Sequence, residues 1–143
     1  MRKIALVLSG CMVLVGAACS SQGTPARSPT LPKAATVGEG DMFLHPTATN
    51  FAPGTVTFDV TNGGQIHHEF VIVSGDPTGT TGDEPDRVSE ANHIGGDSGP
   101  EIGDMAPGQT KTLTATLPPG TYTAMCNLPG HFSAGMHFTF TVA

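Results

Sequence analysis

Three side chains near the end of the chain have the types and spacing to hold a metal ion together. They lie in the segment Cys126-Asn127-Leu128-Pro129-Gly130-His131-Phe132-Ser133-Ala134-Gly135-Met136. A thiolate and a thioether favour Cu(I), and an imidazole accommodates Cu(II) as well, so the three together suit copper in both oxidation states. The alternation of apolar and polar residues around them predicts one strand ending at Cys126 and another opening at Met136, with His131 on the loop between. Zinc would call for a stronger fourth donor than a thioether.

A trigonal set of two His and one Cys with a weak axial Met needs a second imidazole. The stretch Gln65-Ile66-His67-His68-Glu69-Phe70-Val71 contains two, at the entry to an apolar run and just after the turn signal Asn62-Gly63-Gly64. Neighbouring side chains on a strand point to opposite faces, so only one of His67 and His68 should reach the metal. His45, which precedes Pro46, and His93, in an acidic stretch, are expected at the surface. His137 is expected there too, because it should face away from Met136.

The elements that must position these donors read as short strands. Inward-facing sets are Val56, Phe58 and Val60; Leu113, Ala115 and Leu117; Tyr122, Ala124 and Cys126; and Met136, Phe138, Phe140 and Val142. Phe70 to Val73 reads as a fully buried strand, and a weaker strand is placed near Met42 to Leu44. Pro53-Gly54, Pro107-Gly108, Pro118-Pro119-Gly120 and Pro129-Gly130 punctuate them. The expected fold is all-β, a Greek-key β-sandwich. One long acidic loop, Ser74 to Ala106, interrupts the rhythm. Its middle, Glu84 to His93, could form a short helix. The loop reads as a solvated face, or as a field that steers a basic partner.

Composition bounds the rest. The chain has 143 residues and a formal net charge of −6, with 19 Gly, 12 Pro and no Trp. That length allows one domain. With no cluster of Lys and Arg to neutralise phosphates, nucleic-acid binding is excluded. Arg2 and Lys3 precede an apolar run from Ile4 to Val15 that is too short to span a membrane comfortably. Gly16, Ala17, Ala18 and Cys19 follow it. Residues 1–18 read as an export signal, and Val15-Gly16-Ala17-Ala18-Cys19 resembles a bacterial lipobox in which Cys19 becomes acylated. The simpler reading is an ordinary signal peptide cut near Ala18. Residues 19–40 are small, polar and Pro-containing and read as a flexible tether, leaving 41–143 as the globular domain. Of the three cysteines, Cys11 would leave with the signal and Cys19 would carry lipid. Cys126 is then a lone thiol in an oxidising compartment, which asks for a reason: burial, catalysis, an intermolecular bridge or a metal.

Taken together, the globular part resembles the cupredoxins, the small blue copper proteins that include plastocyanin, azurin, rusticyanin and sulfocyanin. The Cys-x4-His-x4-Met spacing of Cys126, His131 and Met136 is similar to that of rusticyanin and sulfocyanin, whereas azurin-like chains have one residue fewer before the Met. Pro107-Gly108, Leu117-Pro118-Pro119-Gly120-Thr121-Tyr122 and Pro129-Gly130-His131 are family-like as well. The resemblance spans residues 41–143 and implies one type 1 copper bound by His68, Cys126, His131 and Met136. The family's first ligand opens a His-x-apolar-apolar run, which selects His68 over His67. Glu69 stands where many members have an Asn that ties the ligand loops together.

The resemblance implies an exported mononuclear blue copper protein that passes single electrons between redox proteins. These would dock near His131, within a rim of Pro129, Gly130, Phe132, Ala134 and Gly135. The chain is expected to be a monomer at the outer face of the cell membrane or in the periplasm, held by a lipid anchor. It is not expected to be an enzyme. A hydrolase would need an activated thiol with an oxyanion hole, multicopper enzymes carry His-x-His ligands, and a dinuclear copper centre needs a second Cys in the loop. A copper-binding or copper-delivery lipoprotein is the alternative.

Overall fold

A computed structural model describes residues 30–77, 93–96 and 99–143. The export signal, Cys19, half of the expected tether and nearly all of the expected 84–93 helix lie outside these residues. Among the described residues nine strands follow in order: β1 Ala34–Gly40, β2 Phe43–Pro46, β3 Asn50–Phe51, β4 Gly54–Asn62, β5 His68–Ser74, β6 Ile102–Met105, β7 Thr110–Leu117, β8 Gly120–Met125 and β9 His137–Val142. They form a two-sheet sandwich, with a four-stranded sheet in the order β2-β1-β4-β7 and a five-stranded sheet in the order β3-β9-β8-β5-β6. Among the described residues no helix is long and apolar enough to cross a membrane.

Side-chain alternation sets the layers. In β4, Val56, Phe58 and Val60 point inward, and in its antiparallel neighbour β7 so do Leu113, Ala115 and Leu117. The outer face of this pair is a polar ladder. Thr61 and Thr110 share a hydroxyl bond of 2.9 Å, and Thr112 donates to Asp59 at 2.7 Å. Such cross-strand pairs stabilise a wet face by a few tenths of a kcal/mol to about 1 kcal/mol each. Between the sheets Phe58 meets Phe51 and Phe140 at centroid separations of 5.4 Å, largely edge-on. Tyr122 stacks on Phe140, and its hydroxyl donates to the Pro118 carbonyl at 2.7 Å.

The apolar run of β5 has two covered faces. Phe70 and Ile72 enter the main core, while Val71 and Val73 pack with Met125 and Phe132 on the other side of the sheet. A strand buried on both faces has no polar alternation to show.

Three expectations need correction. The globular part begins before residue 41. Residues 34–40, read as tether, form β1, which pairs in parallel with β4 and antiparallel with β2, and the backbone carbonyls of Pro32 and Lys33 already accept bonds from Ala52 and Thr57. Small residues and two glycines give β1 little strand propensity of its own, and sheet context overrides that. The acidic loop does not run to Ala106 either. It closes in β6, whose Ile102 and Met105 are buried while Asp104 faces solvent. Finally, His93 is buried rather than a surface residue. It bridges to Val73, and its Nδ1–H donates to Glu101 at 2.9 Å.

Candidate metal centre

The donors converge at one end of the sandwich. His68 opens β5, where the register with β6 slips. His68 lies opposite Met105 but Phe70 lies opposite Ile102, so β6 carries one extra residue. A bulge of this kind re-aims a side chain beside a site. The loop that leads into His68 is organised by buried Asn62. Its amide donates to the carbonyls of Ile66 and Met105, both at 2.8 Å, and its Oδ1 accepts from Gly64 at 2.9 Å.

The other donors sit on the β8–β9 loop. Cys126 follows β8 and Met136 precedes β9, each one residue outside the strand predicted to hold it. The Cys126 N–H donates to the Met136 carbonyl at 3.0 Å, and the Met136 N–H donates to the His131 carbonyl at 3.0 Å. The backbones of all three are therefore tied. Gly130 and Gly135 have φ of 81° and 113°, a left-handed region that a side chain would strain.

The result is a buried cluster. The Nδ1 of His68 lies 3.3 Å from the Nδ1 of His131, and the Cys126 sulfur lies 3.3 Å from the same His131 nitrogen. One donor atom from each residue falls within 4.8 Å of the others. His68, Cys126 and Met136 are fully buried, and His131 keeps 9% of its surface exposed. The backbone N–H of Glu69 donates to the Cys126 sulfur at 3.3 Å. His67 and His137 are exposed, the former paired with Asp104. His45 is exposed as well.

Burial holds two of the donors in their neutral forms when no metal is bound. Burial pushes the Cys126 thiol up to about 11, against the backbone N–H groups of Leu128 and Glu69 that favour the thiolate. Burial also holds His68 below the ordinary imidazole value, with the carboxylate of Asp41 working the other way. Two imidazole nitrogens aimed at each other and at a thiol cannot all be satisfied by mutual hydrogen bonds, since a neutral imidazole has a single N–H. A soft cation satisfies all three and turns the thiol into a thiolate. With a buried Met136 alongside, the donor set fits copper.

Several residues around the centre carried no signal in the sequence. His93 Nε2 accepts from the Asn127 amide at 3.2 Å, which ties the ligand loop to the segment before β6. Asp41, in the β1–β2 turn, accepts from the Gln65 N–H at 2.9 Å and lies 3.4 Å from His68 Nε2. The Gln65 bond chiefly holds the Asp41 carboxyl below its usual value. Glu39 points into the core from β1 with neither carboxylate oxygen bonded among the described residues, and burial pushes it up to about 8. Only Asn62 had a visible marker, its place before two glycines, which is a turn signal with a side chain able to bond the backbone two residues on.

Residues 32–143 match the family of copper binding proteins described as the plastocyanin/azurin family, and the chain belongs to that family. It is a blue copper electron-transfer protein with a single type 1 site, a carrier and not an enzyme. Among solved structures the chain is similar to dithionite-reduced auracyanin from the photosynthetic bacterium Roseiflexus castenholzii, with TM-score 0.62 and 24% identity over 79% of this chain and 98% of that one. It is also similar to auracyanin A of Chloroflexus aurantiacus, with TM-score 0.54 and 20% identity over 77% and 98%. For rusticyanin of Thiobacillus ferrooxidans the values are 0.52 and 18% over 78% and 79%. At these identities the likeness shows the cupredoxin sandwich fold. No curated protein sequence matches the chain. The family works with redox proteins as partners and is typically extracytoplasmic.

Proposed function

We propose that His68, Cys126, His131 and Met136 are the four copper ligands, and that the chain is an exported, lipid-anchored shuttle exchanging electrons with partners that dock beside His131. The observation that carries the ligand assignment is the buried meeting of His68, Cys126 and His131 within 4.8 Å. Copper supplies a one-electron couple between Cu(II) and Cu(I).

The chain's own residues do the rest. Cys126 offers a thiolate steadied by the Glu69 N–H. The hydrogen bonds among Cys126, His131 and Met136 hold the loop in one shape, which keeps the donors in place whichever charge the ion bears. The buried surround excludes water and favours the lower charge. His131, the one imidazole of the pair with an exposed edge, offers a short route to a partner. Half-exposed Phe132 and exposed Pro129, Gly130, Ala134 and Gly135 surround it. Such an apolar rim suits brief docking over a small interface, typically under about 1,200 Å².

The basic start at Arg2 and Lys3, the apolar run and Cys19 support export with acylation. The ligand reading is tested by copper stoichiometry and by optical and paramagnetic spectra of the oxidised protein. One copper per chain with an intense visible band is expected, and a colourless or multiply loaded protein refutes the reading. Copper lost to a Cu(I) chelator on each reduction would favour delivery over electron transfer. Anchoring is tested by membrane fractionation of the wild type and of Cys19→Ala. Anchoring requires that only the wild type partition with membranes.

A further inference from the structure

The carboxylate of Asp41 stands beside the face of His68 that points away from the cluster. The two Nδ1 atoms of His68 and His131 face each other, so His68 directs Nε2 outward, and that nitrogen is buried with no hydrogen-bond partner among the described residues. Asp41 Oδ1 lies 3.4 Å from it, on a side chain 42% exposed. An imidazole that gives its Nδ1 lone pair to a cation must keep its proton on Nε2. That N–H then needs an acceptor, because a buried donor left unpaired is costly. Asp41 Oδ1, 3.4 Å away, is placed to accept it.

Two features keep this acceptor in place. The same Oδ1 accepts from the Gln65 N–H at 2.9 Å, which pins the turn after β1 to the loop entering His68. Gly64 leaves the gap open. A Cβ there would lie 2.3 Å from Asp41 Oδ1 and 3.1 Å from His68 Nε2, so any side chain would push the pair apart.

We propose that Asp41 is a positioning residue that accepts the Nε2–H of His68, fixes the ring's orientation and lowers the reduction potential. A carboxylate behind a metal-bound imidazole makes that imidazole a stronger donor. The gain is larger for Cu(II), whose greater charge acidifies the ring more. This rests on His68 being a copper ligand, as proposed above.

The test uses the full, copper-loaded chain with Asp41→Asn, Gly64→Ala and His68→Ala beside the wild type, measuring copper content, visible spectrum and potential. Asn keeps an oxygen for the Gln65 N–H and removes the charge, so D41N is expected to retain one copper and its colour. Outer partners of metal-bound His are worth roughly 10- to 100-fold in affinity. A tenfold loss of Cu(II) relative to Cu(I) binding raises a one-electron potential by about 59 mV. G64A, which displaces the carboxylate instead of neutralising it, is expected to move the potential in the same direction. It carries the test should D41N not fold. An intact blue site with wild-type potential in both variants overturns the role of Asp41. A wild-type site that H68A leaves coloured overturns the ligand assignment itself, and the role of Asp41 with it.

Discussion

The Nδ1 atoms of His68 and His131 lie 3.3 Å apart across 63 residues of sequence. One residue opens β5 and the other rides the loop between β8 and β9. The antiparallel pairing of β5 with β8, Val71 against Met125, brings the two strand ends together. Cys126, next along from Met125, lands beside both imidazoles.

This placement separates two adjacent histidines. His68→Ala is expected to abolish stoichiometric, coloured copper binding, whereas His67→Ala, which removes an exposed ring paired with Asp104, is expected to leave it intact. Titration with copper followed by absorption checks both. Colour that depends on His67 and not on His68 would reverse the assignment.

Cys126→Ala is expected to remove the intense visible absorption, because no other sulfur among the described residues can supply a thiolate. In the metal-free wild type the same thiol is fully buried and holds its proton up to about 11. Alkylation of the folded apoprotein at pH 8 is therefore expected to be slow and to become fast in denaturant. Colour surviving in the variant would remove Cys126 from the site.

Met136→Leu keeps a buried apolar side chain of similar volume, so the fold is expected to lose under about 1.5 kcal/mol. A thioether is a soft ligand, but compared with a hydrocarbon any electron-pair donor stabilises the higher charge more, so the substitution would weaken Cu(II) more than Cu(I). Copper is expected to stay bound, with the potential raised by about 59 mV or more, the equivalent of a tenfold change in relative affinity. Redox titration decides this, and an unchanged potential denies Met136 an axial role.

How far these features could be read in advance depended on whether local pattern or sheet context decided them. Val56, Phe58 and Val60 in β4 and Leu113, Ala115 and Leu117 in β7 alternate cleanly because each strand has one wet face. The loop from Cys126 to Met136 carries its donors at fixed spacing, so its chemistry was visible in one short segment. β1 was not visible. Its order comes from lying between β2 and β4, and Thr36 and Val37 alone among alanines, glycines and a glutamate do not announce that. Asp41 and Glu39 were hidden for the same reason, since only the register of β1 brings them to the site end of the sandwich. His93 was misjudged from its acidic surroundings. One acidic residue, Glu101, is the partner that satisfies its ring, and Asn127 is the other.

Glu39 offers a test of that register through stability alone. The residue is 1% exposed, its carboxyl makes no hydrogen bond among the described residues, and burial pushes it up to about 8 from an ordinary 4.5. Below about pH 4.5 it is neutral in both folded and unfolded chains, and its contribution to stability is fully present. As the pH rises from there towards 8, the unfolded chain releases this proton and the folded chain keeps it, so stability is progressively lost. The total is of the order of 5 kcal/mol. Glu39→Gln preserves shape and removes the titration. Urea unfolding of the metal-free protein at pH 5 and pH 9 is expected to show the variant gaining on the wild type at the higher pH by several times its difference at the lower. Other carboxylates titrate alike in both proteins and cancel. Parallel pH profiles for the two would mean that Glu39 reaches water, and that the inward register of β1 at this position is wrong.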